Sequence, residues 1–178
     1  MQHKQILGAM VLALVAAHSY AADLSAGAGS DYVFASGNVN AKGLGVTADW
    51  LHSDDEGDVA ALGLGIGLPL GPALATVGGK LVYLGPRHAD DGAAAAFGGS
   101  LEIPMGTHFR MIGAAYYSPD SLSSGIKAYE EASLAVRFNA TRMVGVEVGY
   151  RYMKTDGKDG DRDTTFANGA YGGVSLSF

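Results

Sequence analysis

The stretch that decides the fold is the last nine residues, Ala170-Tyr171-Gly172-Gly173-Val174-Ser175-Leu176-Ser177-Phe178. Val174, Leu176 and Phe178 alternate with Gly173, Ser175 and Ser177, so an apolar face backs onto a small, polar one. A period of two is that of a β-strand, whose successive side chains point to opposite faces. A soluble strand buries its apolar face, and nothing then requires the chain to stop on an aromatic ring.

The other end of the chain reads as an export signal. His3 and Lys4 give a short basic start, residues 6–17 form an apolar run, and Ser19-Tyr20-Ala21 places small residues where a signal peptidase needs them. Residues 1–21 are therefore predicted to be a cleaved N-terminal signal peptide. The run is too short for a membrane-spanning helix, which takes about 20 apolar residues. Every later apolar run is interrupted by glycine or a polar residue.

Removing these 21 residues from 178 leaves 157, enough for one domain. With Lys4 gone, 11 basic side chains face 18 acidic ones, a net charge of −7 that excludes a nucleic-acid partner by charge. Cysteine is absent, so there is no thiol or disulfide chemistry. Glycine is abundant (27 residues) without a Gly-X-Y period, which puts it inside regular elements and turns, as in small crowded barrels.

From Gly43 onward the two-residue period repeats in eight segments, at 43–52, 59–68, 73–84, 93–103, 108–117, 127–138, 144–153 and 169–178. In the second, Leu62, Leu64, Ile66 and Leu68 oppose Gly63, Gly65 and Gly67; in the seventh, Val146, Val148, Tyr150 and Tyr152 oppose Glu147 and Arg151. Each segment has about the 9–11 residues that a tilted strand needs to cross a bilayer. The connections alternate between short (69–72, 104–107, 139–143) and long and polar (53–58, 85–92, 118–126, 155–168). Outer-membrane barrels have short periplasmic turns and long extracellular loops. Outward aromatics also sort to the strand ends, with Trp50, Tyr83, Tyr117, Tyr150 and Tyr152 near the long loops and Phe109, Phe138 and Phe178 near the short turns. Those are the positions of interfacial girdles, and a soluble β-sandwich has no use for them.

The expected fold is thus all-β: an eight-stranded antiparallel up-and-down transmembrane β-barrel over residues 43–178, in the cell outer membrane. Residues 22–42 carry only a weak alternation, Leu24, Ala26, Ala28 and Tyr32 against Ser25, Gly27, Gly29 and Asp31, broken at Ser36-Gly37-Asn38. A ninth full strand would upset the even count, so they are read as a partial strand, a periplasmic extension or a lumen insert. The terminal Phe178, with Val174 and Leu176, resembles the aromatic end that barrel assembly machinery reads. Predicted partners are that machinery, periplasmic chaperones, and outer-membrane lipid with lipopolysaccharide; a monomer is favoured.

The inward phase collects Asp49, Glu102, Glu131 and Glu147 with Lys80, Arg110, Arg137 and Arg151, four acids against four bases. Buried charges persist when paired, so the lumen is expected to be an ion-paired plug, or else a narrow, weakly selective water path. If Phe138 faces Val144 across the 139–143 turn, facing residue numbers sum to 282 and Glu131 meets Arg151, while Arg137 meets Gly145. If Ile103 faces Phe109, the sum is 212 and Glu102 meets Arg110. Glu130 falls on the outward phase, near a long loop.

No catalytic, cofactor or metal residues are assigned. His52 and Ser53 are adjacent and so point to opposite faces of a strand; His108 sits at a short turn, and His88 lies in a loop with Asp90 and Asp91. There is neither a Gly-x-Ser-x-Gly elbow nor a His-Glu-x-x-His pattern. Asp159, Asp161 and Asp163 imitate the start of a calcium loop, but Thr164 and Ala170 occupy the places where an EF-hand needs Gly and Glu. Asp54, Asp55, Glu56, Asp58, Asp90, Asp91, Asp120 and Asp156 join these acids on the long-loop side, where they could share divalent cations with lipopolysaccharide.

Several stretches resemble the YfaZ family of small outer-membrane proteins: Asp49-Trp50-Leu51-His52-Ser53-Asp54-Asp55, Leu62-Gly63-Leu64-Gly65 through Leu68-Pro69-Leu70-Gly71-Pro72, and Tyr116-Tyr117-Ser118-Pro119 with Ser123-Ser124-Gly125. Gly149-Tyr150-Arg151-Tyr152, Asp156-Gly157-Lys158-Asp159-Gly160 and the closing strand complete the likeness. The resemblance implies an outer-membrane protein without an established activity, so no site residues come with it. The expected role is structural or related to a small solute. A lipid-modifying enzyme, a narrow non-selective pore and an extracellular-loop binding module are the alternatives.

Overall fold

The computed structural model describes residues 21–41, 43–158 and 160–178. The predicted signal peptide lies outside them except for Ala21, and Asp159 of the acidic loop is outside them too. The described chain forms β1 (Ala21–Gly29), β2 (Tyr32–Ala41), β3 (Leu44–Ser53), β4 (Gly57–Leu70), β5 (Ala73–Pro86), β6 (Gly92–Met105) and β7 (Phe109–Ser118). A 3-10 turn at Asp120–Leu122 then leads into β8 (Ser123–Ser124), β9 (Ile126–Asn139), β10 (Val144–Gly157) and β11 (Thr164–Ser177). β8 is a two-residue strand clipped to β6. The other ten strands each pair antiparallel with their neighbours, and the β1–β11 pairing closes the ring.

The barrel therefore has ten strands, not the expected eight, and residues 22–41 are a full hairpin of its wall rather than a partial strand, extension or insert. The reason lies in the two-residue turn at Ser30-Asp31. Across it Asp23 faces Asn38, Ser25 faces Ser36 and Gly27 faces Phe34, so odd positions of β1 share a side with even positions of β2. Read straight through, Tyr32 joins the face of Leu24; in the barrel Tyr32 turns into the lumen, 4% exposed, while Ala26 and Ala28 on the face of Leu24 point outward. The lipid side of this hairpin carries mostly small residues, which leaves little contrast in the sequence. Two added strands keep the count even, so both ends of the barrel still lie beside the short turns.

Elsewhere the inward and outward phases match the sequence. Leu62, Leu64, Ile66, Leu81, Phe97 and Val148 point away from the lumen and are 60–69% exposed. A contiguous apolar band of this size is a liability in water and the normal outer face of a membrane barrel. No helix among the described residues is long and apolar enough to cross a membrane.

The register differs from expectation by two residues at both turns that were tested. Between β9 and β10, Arg137 faces Glu147 and Arg151 faces Ser133, so the facing numbers sum to 284. Asn139 stays in the ladder, its N–H bonded to the His108 carbonyl at 2.7 Å, and the Thr141 hydroxyl accepts the N–H groups of Met143 and Val144 to build the turn one residue later. Between β6 and β7 the sum is 214, because β6 runs through Pro104 to Met105 and turns at Gly106, whose φ of 77° suits glycine. A shift of two leaves every side chain on its own face. The inward set survives, and only the partners change.

Candidate functional site

The lumen is divided along its axis. Towards the long loops it is filled by Tyr32, Leu51, Val59, Val82, Leu84, Tyr129, Met153 and Phe166, all at most 4% exposed. Towards the short turns it opens into a cavity of about 710 Å³ that reaches Ala22, Thr107, Ala140, Arg142 and Phe178 at the barrel rim. None of its lining residues belongs to a long loop. Glycines make room for rings between the two zones: a Cβ on Gly27 would meet the Phe34 ring at 2.7 Å, and one on Gly149 would meet the Tyr171 ring at 2.8 Å. Phe34 and Tyr171 pack edge to face, centroids 4.9 Å apart.

The eight charged lumen residues picked out by the sequence all line this cavity, and seven of them form ion pairs. Lys80 lies between Asp49 and Glu131, its Nζ 3.1 Å from each carboxylate, and sits 4.2 Å from the centroid of the Tyr116 ring. Tyr129 donates its hydroxyl to Glu131 at 2.9 Å. Arg137 forms a second centre, bonded to Glu147 through Nε at 3.0 Å and to Asp23 through Nη1 at 2.8 and 2.9 Å. The Tyr171 hydroxyl reaches Glu147, and the Ser177 hydroxyl donates to Asp23. Glu102 and Arg110 meet at 2.7 Å near the short-turn rim, diagonally rather than face to face.

Two expected pairings are corrected. Glu131 faces Met153 and is held by Lys80, not Arg151; Arg137 faces Glu147 rather than Gly145. Arg151 stands apart from the ion pairs. Its guanidinium lies 4.0 Å above the Phe34 ring and 5.8 Å from that of Tyr171. Among the described residues no carboxylate comes within ion-pair distance of it, and its buried Nε has no hydrogen-bond partner. Asp23, Tyr116, Tyr129 and Tyr171 are among the lumen residues that sequence reasoning missed. For Asp23 the signal was present in the alternation of β1, but a strand not counted contributes no inward side chain.

Of the remaining candidates, His108 lies at the rim of this cavity and the others lie elsewhere. His52 faces outward, bonded to Asp58 at 3.0 Å and stacked on Trp50, whereas Ser53 beside it is buried. His108 contacts the Thr107 hydroxyl at 2.7 Å and stacks on Phe138; His88 is exposed in its loop. In the acidic loop Lys154 bonds Asp156 and Asp163, and the Gly157 N–H donates to Asp163, which together hold the Asp163 carboxyl below its usual range. Lys158 pairs with Asp120, and Arg162 with Glu56, tying neighbouring loops together over the mouth. Among the described residues no group of three acids or histidines is placed to hold a metal ion.

A sequence profile described as YfaZ precursor matches residues 1–178. The chain belongs to the YfaZ family. Outer membrane protein YfaZ of Escherichia coli (strain K12) is 48% identical over 175 residues, covering 97% of each chain. This YfaZ-family member is likewise an outer-membrane β-barrel protein. Among solved structures it is similar to the outer membrane channel DcaP of Acinetobacter baumannii, with a TM-score of 0.48, 12% identity, and coverage of 86% of this chain and 54% of that one. It is also similar to the NanC porin, with a TM-score of 0.47, 10% identity, and coverage of 90% of this chain and 99% of that one.

Proposed function

We propose that this protein is a non-enzymatic outer-membrane barrel whose lumen is shut towards the cell exterior and open to the periplasm as a vestibule for a small solute. The observation that carries this reading is the layer of Tyr32, Leu51, Leu84, Tyr129 and Phe166 across the lumen, with the polar cavity on its short-turn side. Such close packing excludes water as a protein core does. A narrow through-pore is disfavoured by the same layer. A lipid-modifying enzyme needs a nucleophile and a base within hydrogen-bond reach, and the outward His52 has Asp58 and Trp50 as neighbours while Ser53 points inward.

Cysteine labelling tests the reading, because the natural chain has no cysteine. A small water-soluble thiosulfonate should modify a Ser133→Cys variant, which lines the cavity, far faster than a Val82→Cys variant in the apolar layer. Similar rates at the two positions would mean a continuous water path and would overturn the closed vestibule.

The C-terminal strand is proposed to carry the assembly signal. Phe178 makes the last backbone pair of the closure, its N–H bonded to the Ala22 carbonyl at 2.9 Å, and its ring is left on the outer face, 63% exposed. A ring so exposed contributes little to packing, so its loss should act on assembly. Deleting Phe178 is expected to reduce the heat-modifiable, folded band in outer-membrane fractions while a barrel refolded in detergent keeps its stability. A normal yield of folded protein in cells would remove this role from Phe178.

A further inference from the structure

Every acid in the vestibule is committed to a partner. Asp49 and Glu131 share Lys80, Asp23 and Glu147 share Arg137, and Glu102 holds Arg110. Among the bases on the lumen strands Arg151 is the exception, with a ring on one side of its guanidinium and no hydrogen bond or ion pair to the described protein; Arg142, which also lines the cavity, is exposed in the turn at its rim. An arginine carries five N–H donors, and leaving buried donors unmade is costly. Among the described residues four further buried polar atoms lack partners, Ser36 Oγ, Ser175 Oγ, Asn38 Oδ1 and Thr47 Oγ1, and the last two belong to residues facing each other on β2 and β3. Arg151, Asn38 and Thr47 all line the same cavity. Unfilled guanidinium donors, an aromatic floor and unused hydroxyl and amide groups in one concave space are the features of a ligand site rather than of a core.

We infer that Arg151 is the anion-binding residue of the vestibule, taking the carboxylate of a small hydroxylated acid whose hydroxyl groups bond Thr47 and Asn38. A guanidinium fits a carboxylate through two parallel N–H bonds, and stacking on Phe34 fixes the plane in which the fork is presented. The acids nearby do not reverse the preference, because the five that line the cavity (Asp23, Asp49, Glu102, Glu131 and Glu147) are matched in number by Lys80, Arg110, Arg137, Arg142 and Arg151. The cavity of about 710 Å³ lies in the range that takes one such molecule. This inference rests on the lumen being an accessible periplasmic vestibule.

Calorimetric titration of the folded, detergent-solubilised protein with glucuronate, glucose and glucosamine tests it, since the three probes share size and differ in charge. Glucuronate should bind saturably in the roughly millimolar range or tighter, with glucose and glucosamine at least about tenfold weaker. Arg151→Gln should weaken glucuronate by at least about tenfold, Arg151→Lys by less, because a point charge replaces the fork. Thr47→Val, which keeps shape and loses the hydroxyl, should weaken it by several-fold and cannot be blamed on lost charge. Heat-modifiable migration confirms that each variant is folded. No saturable glucuronate binding, glucose binding as tightly, glucosamine binding more tightly, or an unchanged affinity in Arg151→Gln would each overturn the assignment. If Ser133→Cys is readily labelled and glucuronate does not bind, the anion site falls and the vestibule stands; if Ser133→Cys is not labelled, both fall.

Discussion

Lys80→Met is expected to destabilise the folded barrel by about 3–5 kcal/mol, the usual cost of removing one partner from a buried ion pair. Lys80 is only 7% exposed and is the counter-charge of two carboxylates, Asp49 and Glu131. Without it both acids remain in the lumen wall with like charge, and only the Tyr129 hydroxyl still donates to Glu131. The methionine fills similar volume, so the loss is electrostatic rather than a cavity. Neutralising the stranded acids in the same chain, with Asp49→Asn and Glu131→Gln, should restore most of the stability. Arg151→Ala is the informative comparison. It breaks no ion pair and should cost much less than Lys80→Met, measured side by side as urea midpoints in lipid vesicles. Equal costs, or the reverse order, would mean that Glu131 depends on Arg151, as the register summing to 282 requires.

That contrast shows which parts of the molecule were legible in the sequence. The side of the wall on which a residue lies depends on parity alone, and parity is preserved by any shift of two. Leu62, Leu64 and Ile66 could therefore be placed on the lipid face, and Lys80, Glu131 and Arg137 in the lumen, without knowing a single partner. Partners depend on where a turn begins, and that was decided by local chemistry: the Thr141 hydroxyl gathering two N–H groups, and a strand that tolerates Pro104 near its end. The N-terminal hairpin failed for the opposite reason. Its turn at Ser30-Asp31 inverts parity, and its outward alanines give almost no hydropathy contrast to Tyr32 and Phe34 inside. The division of the lumen into an apolar layer and a polar vestibule was hidden for a related reason. Small inward residues such as Ala61, Ala94 and Ala96 read as neither apolar core nor polar lining until the ring brings Tyr129 and Phe166 among them.

The largest functional effect is expected from opening that layer. On the closed-lumen reading the wild-type protein in planar bilayers should give no conductance above background, because the layer of Leu51, Leu84, Tyr129 and Phe166, each at most 2% exposed, lies across the lumen. Phe166 is the side chain to remove. It is 1% exposed, and unlike Tyr129 it carries no hydroxyl holding the ion pairs below. Phe166→Ala combined with Leu51→Ala takes two large groups from one cluster, at a cost of several kcal/mol by the usual measure of about 2–5 kcal/mol for each truncation. A ten-strand ladder closed by β1–β11 should survive this, and heat-modifiable migration would confirm it. The expected result is resolvable current steps with little preference between small cations and anions, since the five acids lining the cavity are matched by five bases, Lys80, Arg110, Arg137, Arg142 and Arg151. Selectivity should then shift towards cations when Arg151→Gln is added, because that removes one of the five bases that balance the lumen acids. Conductance in the wild type equal to that of the double variant would refute the closed lumen. A silent but folded double variant would place the barrier elsewhere, in the loops tied by Arg162–Glu56 and Lys158–Asp120 over the mouth.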